Sequence, residues 1–215
     1  MKSAKLAKIL TASALTLTLL AVPVSQAVVH ADDQVTSTSA SSASSTSQNQ
    51  THTLKKSYVV YGAGAADKDE LNQVLAVGDD FTNLTATASD YQKYINPNGS
   101  TTNAAMVSSV SIVPTDPGSG VQVNVKKFNG DNNITKVTAQ QYAMVAQMAG
   151  VTDVTITVSA NRPVSGESAL TGAYKAIAAD GVDLDSQNTQ SANQMLDATN
   201  GAIEANKDDS SYPGK

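Results

Sequence analysis

From Gln34 to Thr53 the chain carries Ser or Thr at 12 of 20 positions and almost nothing large and apolar. Such a run cannot bury enough surface to offset the entropy lost on ordering it, so it reads as a flexible tether. It leaves one stretch of the 215 residues able to build a core, about Ser57 to Asn206, followed by a polar tail, Lys207 to Lys215. The whole chain is 40% hydrophobic and 15% charged, which suits a single globular domain in that stretch, although 4% aromatic is thin.

The segment before the tether reads as a secretory signal. Lys2, Lys5 and Lys8 precede an apolar run from Ile9 to Val24, and small-x-small exits follow at Ser25-Gln26-Ala27 and Val29-His30-Ala31. Cleavage after Ala31 starts the mature chain at Asp32-Asp33. The rival reading is an uncleaved anchor, but the run falls short of the roughly 20 apolar residues that span a bilayer. The expected division is signal peptide 1–31, Ser/Thr-rich disordered linker 32–56, globular domain 57–206 and disordered tail 207–215. A secreted or extracellular protein follows, associated with the cell wall or free, without stable membrane insertion after cleavage.

Cleavage leaves 11 of the 14 basic residues against 19 acidic ones, a net charge of −8. Nucleic acid and anionic membranes need a basic footprint, so neither is an expected partner. A highly anionic wall polymer is repelled too unless Ca²⁺ bridges the two. No Cys is present, which removes disulfides, thiolate zinc sites, cysteine nucleophiles and iron–sulfur clusters. The mature chain's one histidine, His52, falls in the predicted linker, so a His base, His metal ligation and a Ser-His-Asp triad are not expected in the domain.

Periodicity predicts the elements. Tyr58 to Tyr61 is a β-rich run before Gly62-Ala63-Gly64, and Asp67 is placed to cap a helix over Lys68 to Ala76. Asn83 to Ala88 alternates as a second strand, and Ser89-Asp90-Tyr91-Gln92 fits a capping box. Met106 to Val113 and Val121 to Phe128 flank a turn-rich linker, which predicts an antiparallel hairpin. Thr138-Ala139-Gln140-Gln141 is a second capping box, with Gly150 at the far end of its helix. Val154, Ile156 and Val158 alternate as a strand; helices follow from about Ser168 to Ala179 and Gln187 to Ala205, the last presenting Ala192, Met195, Leu196, Thr199 and Ile203. The expected fold is one α/β (α+β mixed) domain, a mixed sheet including one β-hairpin and covered by helices.

Pro163-Val164-Ser165-Gly166 followed by Ala169-Leu170-Thr171-Gly172 resembles the signature of a bacterial exported family catalogued as domain of unknown function 1002. Gly118-Ser119-Gly120-Val121, Asn133-Ile134-Thr135, Tyr142 and Ala149-Gly150-Val151 match it too. The resemblance covers most of Tyr58 to Ala205; the family pattern differs in having an acidic residue where this chain has Gly64 and a Thr where it has Met148. What the resemblance implies is an exported Gram-positive envelope protein, with no established activity.

Asn161 to Ser168 is the leading site candidate. A small-residue loop between a strand and a helix exposes N–H groups at the positive helix end, which suits an anion. Arg162, the chain's one arginine, precedes it, and Ser165, Gly166 and Ser168 complete the candidate anion loop. The structural alternative makes Ser165 or Ser168 a helix cap and Gly166 a turn residue, with Glu167 complementing the dipole. Gly62-Ala63-Gly64 lacks the later glycine of a dinucleotide fingerprint, so no cofactor is expected. Asp131, Asp183 and Asp185 lie in oxygen-rich loops that are weak Ca²⁺ candidates, without the spacing of a twelve-residue calcium loop. No catalytic residue is assigned. The sequence reading favours a secreted or envelope-associated, non-catalytic binding or interaction domain whose partner is an unidentified envelope component or protein. Its alternative is an envelope-acting hydrolase using Ser165 or Ser168 without histidine.

Overall fold

The computed structural model describes residues 51–206. The predicted signal, most of the linker and the tail lie outside the described residues. Within them run β1 (Tyr58–Gly62), α1 (Lys68–Val74), β2 (Thr82–Ala86), α2 (Ala88–Tyr94), β3 (Ser109–Pro114), β4 (Val121–Val125), α3 (Ala139–Met148), β5 (Val154–Ser159), α4 (Glu167–Ala179) and α5 (Ser186–Ala205), with a 3₁₀ turn at Asn103–Ala105. This order is the one the periodicities predict. No helix among the described residues is long and apolar enough to cross a membrane.

The five strands form one mixed sheet in the order β2-β1-β3-β5-β4. β1 pairs β2 in parallel and β4 pairs β5 in parallel, while β3 runs antiparallel to both β1 and β5. Four strands therefore point one way, with a single reversed strand at the centre.

The predicted hairpin does not form. β3 and β4 are oppositely directed, but β5 lies between them and takes the ladder of each. The linker opens around the start of β5 because Asp153 holds it there. Its carbonyl accepts the Thr115 N–H at 2.7 Å, and its Oδ1 accepts the N–H groups of Gly118 (3.0 Å) and Gly120 (2.8 Å). Gly118 and Gly120 both have positive φ, which lets the turn present those N–H groups inward.

One face of the sheet packs on α4, which crosses β1, β2 and β3, with α3 over β4. Val154, Ile156 and Val158 are fully buried there, each contributing roughly 1.5–3 kcal/mol. α4 lies close because residue 172 is glycine: a Cβ would sit 2.9 Å from Val110 Cγ1 and 3.1 Å from Val60 Cβ. The second face carries a smaller cluster of Val59, Tyr61, Leu71, Leu75 and Phe128 beneath α1. On α5, Ala192 and Leu196 are buried; Met195 and Thr199, predicted on the same face, are exposed.

Two local predictions shift. The second helix is capped by Thr87 and not Ser89: Thr87 Oγ1 accepts the Asp90 N–H (3.3 Å) and Asp90 Oδ2 accepts the Thr87 N–H (2.9 Å). The same carboxylate is ion-paired with Lys175 at 2.7 Å, which fixes the register of the box. The folded part also begins before residue 57. His52 bridges Val151, donating its N–H to Gly150 O (2.7 Å) and accepting from Thr152 N–H (3.0 Å). Leu54 is buried in the main core, and the Lys55 N–H donates to Asp180 Oδ2 at 2.9 Å. One apolar side chain and a sheet-like bridge are enough to bring the histidine onto the domain.

Candidate functional site

Because β1, β2, β4 and β5 run together, their C-terminal ends share one edge of the sheet, where ligands of α/β proteins usually bind. The loops there close on one another. The Gly64 N–H donates to Met106 O at 2.7 Å, the Ala63 N–H to Ala86 O at 2.9 Å, and the Ala88 N–H to Asn103 Oδ1 at 2.9 Å. A Cβ on Gly62 or Gly64 would run into the carbonyls of Met106 and Ala104 respectively. The Gly-Ala-Gly of the sequence thus admits the 104–106 backbone.

The 161–168 loop is stitched to the stretch before α3. Val164 bridges Ile134, Ser165 O accepts the N–H of Val137 at 2.9 Å, and Asn133 Nδ2 donates to Ala160 O at 2.8 Å. Gly166 has φ 102°, and its carbonyl accepts the Tyr142 hydroxyl at 2.9 Å; a Cβ on Gly166 would stand 2.6 Å from that oxygen. Burial first, and the Glu167 charge second, push the Tyr142 phenol well above its ordinary value, so the hydroxyl stays a donor.

The chain's own groups meet the first N–H groups of α4. Ser165 Oγ accepts from Glu167 N–H at 3.4 Å, and Ser108 Oγ accepts from Ala169 N–H at 2.9 Å. Ser108 was absent from the sequence reading; nothing in a lone Ser before a strand signals a cap for a helix 61 residues later. Of the candidate loop residues, Gly166 stands at the α4 N-cap, with Ser165 just before it and Ser168 in the first turn of the helix. Arg162 turns elsewhere, its Nη2 donating to Ala104 O at 3.0 Å, while Asn161 Nδ2 donates to Asp67 Oδ2 at 3.3 Å. Asp67 stands at the α1 N-cap but makes no capping bond. Ser168 is 6% exposed and its Oγ has no hydrogen-bond partner; it lies 2.7 Å from where a Cβ on Gly62 would be.

The family model for Protein of unknown function (DUF1002) matches residues 61–212, including all of this loop and the glycines that shape it. The chain belongs to the DUF1002 family. It is also similar to a Bacillus subtilis (strain 168) protein named Uncharacterized protein YpuA, 31% identical over 137 residues. That match takes in 62% of this chain and 45% of the relative, so the chain spans less than half the length of the curated relative it matches. No solved structure matches.

Of the calcium candidates of this DUF1002 chain, Asp183 and Asp185 share the connection before α5 and line one groove, while Asp131 lies in a turn of its own. Asp131 closes a two-residue turn through paired backbone bonds with Phe128, over Asn129 and Gly130 at positive φ. Asp185 caps α5, its Oδ1 accepting the N–H groups of Gln187 (2.7 Å) and Asn188 (3.1 Å). Among the described residues no group of three or more His, Asp or Glu side chains is placed to hold a metal ion.

Two open grooves lie away from the loop edge. One, of about 500 Å³, is where β4 and β5 begin, lined by His52, Met148, Gly150, Asp183, Asp185 and Asn188. His52 is a correction to the expectation of a histidine-free domain. The other, of about 610 Å³, runs along α5 past Lys93, Tyr94, Pro97, Gln190, Asn193 and Asp197. Asn193 anchors it, donating to Tyr94 O (2.7 Å) and Ile95 O (3.0 Å). Behind it Tyr94 stacks on Tyr174 at 5.9 Å and 17°. Away from the grooves, burial pushes the Asp90 carboxyl up, but the Lys175 ammonium and the Thr87 hydroxyl and N–H outweigh it and hold the carboxyl below its ordinary value.

Proposed function

We propose that this chain is an exported, cell-envelope-associated binding module without catalytic activity of its own. The basic-then-apolar N-terminus and the Ser/Thr-rich tether support the address. One observation carries the binding reading. Both large grooves mix amides and hydroxyls with apolar side chains, Val121 and Met148 in one and Ile95, Pro97 and Leu184 in the other, and among the described residues no hydrogen bond joins a hydroxyl in either groove to His52 or to a side-chain carboxylate. A site that works by acid–base or nucleophilic chemistry gathers such groups; a site that holds a polar polymer needs only donors and acceptors.

The hydrolase alternative draws on one contact, Ser165 Oγ donating to Glu167 Oε2 at 3.2 Å. The test separates the two. Purified protein is co-sedimented with isolated Gram-positive cell walls, with and without Ca²⁺, and with walls stripped of their anionic polymers. Pelleting without release of soluble fragments is expected. Release that Ser165→Ala abolishes moves the assignment to the hydrolase, and no pelleting under any condition overturns the wall-binding reading.

A further inference from the structure

The two edges of the sheet are finished differently. On β2, the Thr82 N–H donates to Ser57 O and Ala86 O accepts from Ala63, so the even-numbered backbone groups face β1. Asn83 and Thr85 turn theirs outward, and Lys175 Nζ donates to the Thr85 carbonyl at 2.8 Å. On β4, Gly120 O accepts from Val154 N–H (3.0 Å) and the Lys126 N–H donates to Val158 O (2.8 Å), which turns the even-numbered groups toward β5. Val121, Val123 and Val125 therefore direct N–H and C=O away from the sheet, and no described residue hydrogen-bonds to them there.

Proteins commonly blunt such an edge with a charge, a proline or a bulge. Val121–Val125 has none of these, and its register with β5 is unbroken. α3 above it is free of charge as well: Gln140 and Gln147 are exposed, and Ala143 and Met144 are half-buried. In a chain of net charge −5 this is a neutral strip from which like copies are not repelled.

The strip is also self-complementary. Val-Gln-Val-Asn-Val keeps its pattern when reversed. A second copy laid antiparallel about Val123 sets Val121 of one copy against Val125 of the other and Val123 against Val123. All of these are positions whose backbone groups point outward, so each pair exchanges both hydrogen bonds. On the opposite face Gln122 meets Asn124, amide to amide, in the closer pairs that lack backbone bonds. Lys126 and Lys127 follow β4 and Asp116 precedes it, so antiparallel pairing carries each copy's lysines toward the other's carboxylate.

We infer that the β4 edge is a self-association surface, at which a second copy of this chain pairs with Val121–Val125 to continue the sheet across a twofold axis. The inference does not depend on what the protein binds in the envelope.

Sedimentation velocity over a range of concentrations, on the protein as the cell makes it, tests this. A dimer is expected whose population grows with concentration. Gln122→Lys combined with Asn124→Lys changes two exposed side chains, sets like charges opposite each other twice, and raises the dimer Kd about tenfold or more. Gln122→Asp combined with Asn124→Lys sets opposite charges in the same places and recovers the dimer. Val123→Pro removes an outward N–H without touching the ladder to β5, and abolishes association. A monomer at every concentration overturns the inference. So does a dimer that the double lysine variant leaves unchanged, or one that the Asp/Lys pair fails to recover.

Discussion

Gly172 lets α4 lie close enough for its backbone to touch β1 and β3, and substitution there sets two effects against each other. Alanine is the better helix former by about 1 kcal/mol. Its Cβ, however, would stand 2.9 Å from Val110 Cγ1 and 3.1 Å from Val60 Cβ in a fully buried layer, and overpacking of that kind costs about 1–3 kcal/mol. Neither valine can swing clear, because each is β-branched and fully buried in a packed layer. Gly172→Ala is therefore expected to destabilise the domain by about 1 kcal/mol, read from the urea midpoint, and Val110→Ala is expected to cost less in that background than on its own. Gly62, Gly64 and Gly166 show the same logic at the loop edge: each stands where another part of the chain passes too close for a side chain.

Among the elements, the six-residue step from β3 to β4, residues 115–120, depends on Asp153. Its carboxylate is the acceptor for both Gly118 and Gly120, so Asp153→Ala removes those two bonds and leaves the 115–120 linker held only by the backbone bond of Thr115. The expected result is faster limited proteolysis between residues 115 and 120, with a melting temperature lowered by several degrees, as for about 1–2 kcal/mol in a domain of this size. This is also where reading the sequence went astray. Alternation along Val154, Ile156 and Val158, the Thr138–Gln141 box and the Gly150 stop are local signals, and the elements they mark are present. Pairing is not local. Two β-rich runs around a turn-rich linker look alike whether they pair directly or receive a third strand between them, and the difference rests on Asp153, a residue that periodicity ignores. The loop residues of the candidate site were legible as a strand-to-helix connection. Their partners, Ser108, Tyr142 and Ala104, come from remote segments, and although Tyr142 matches the family pattern, no local signal ties any of the three to the loop.

For the molecule as a whole, buried phenols set a limit in alkali. Burial, reinforced by the hydrogen bond and charge of Asp180, pushes the Tyr58 phenol from 10.0 up to about 12; burial alone pushes Tyr174 to about 12, and Tyr142 is raised as well. A folded-state value above the unfolded one means that the native state holds its protons longer. The stability these groups contribute is fully present below pH 10 and is lost as the pH rises from 10 through 12. Circular dichroism followed from pH 9 upward is expected to show unfolding in that window, with Tyr58→Phe less steeply dependent on pH.

β5 is the last strand to be made and the one that separates two strands made before it. A growing chain that has reached Val125 but not Val154 therefore has β3 and β4 side by side in sequence with nothing yet to hold them apart. Their direct pairing, the hairpin that local pattern suggests, is available at once and has a short loop to close. Native folding must undo or outrun that contact. The sheet can complete only once β5 inserts, and refolding from denaturant is expected to populate a form in which β3 and β4 have paired without their keystone.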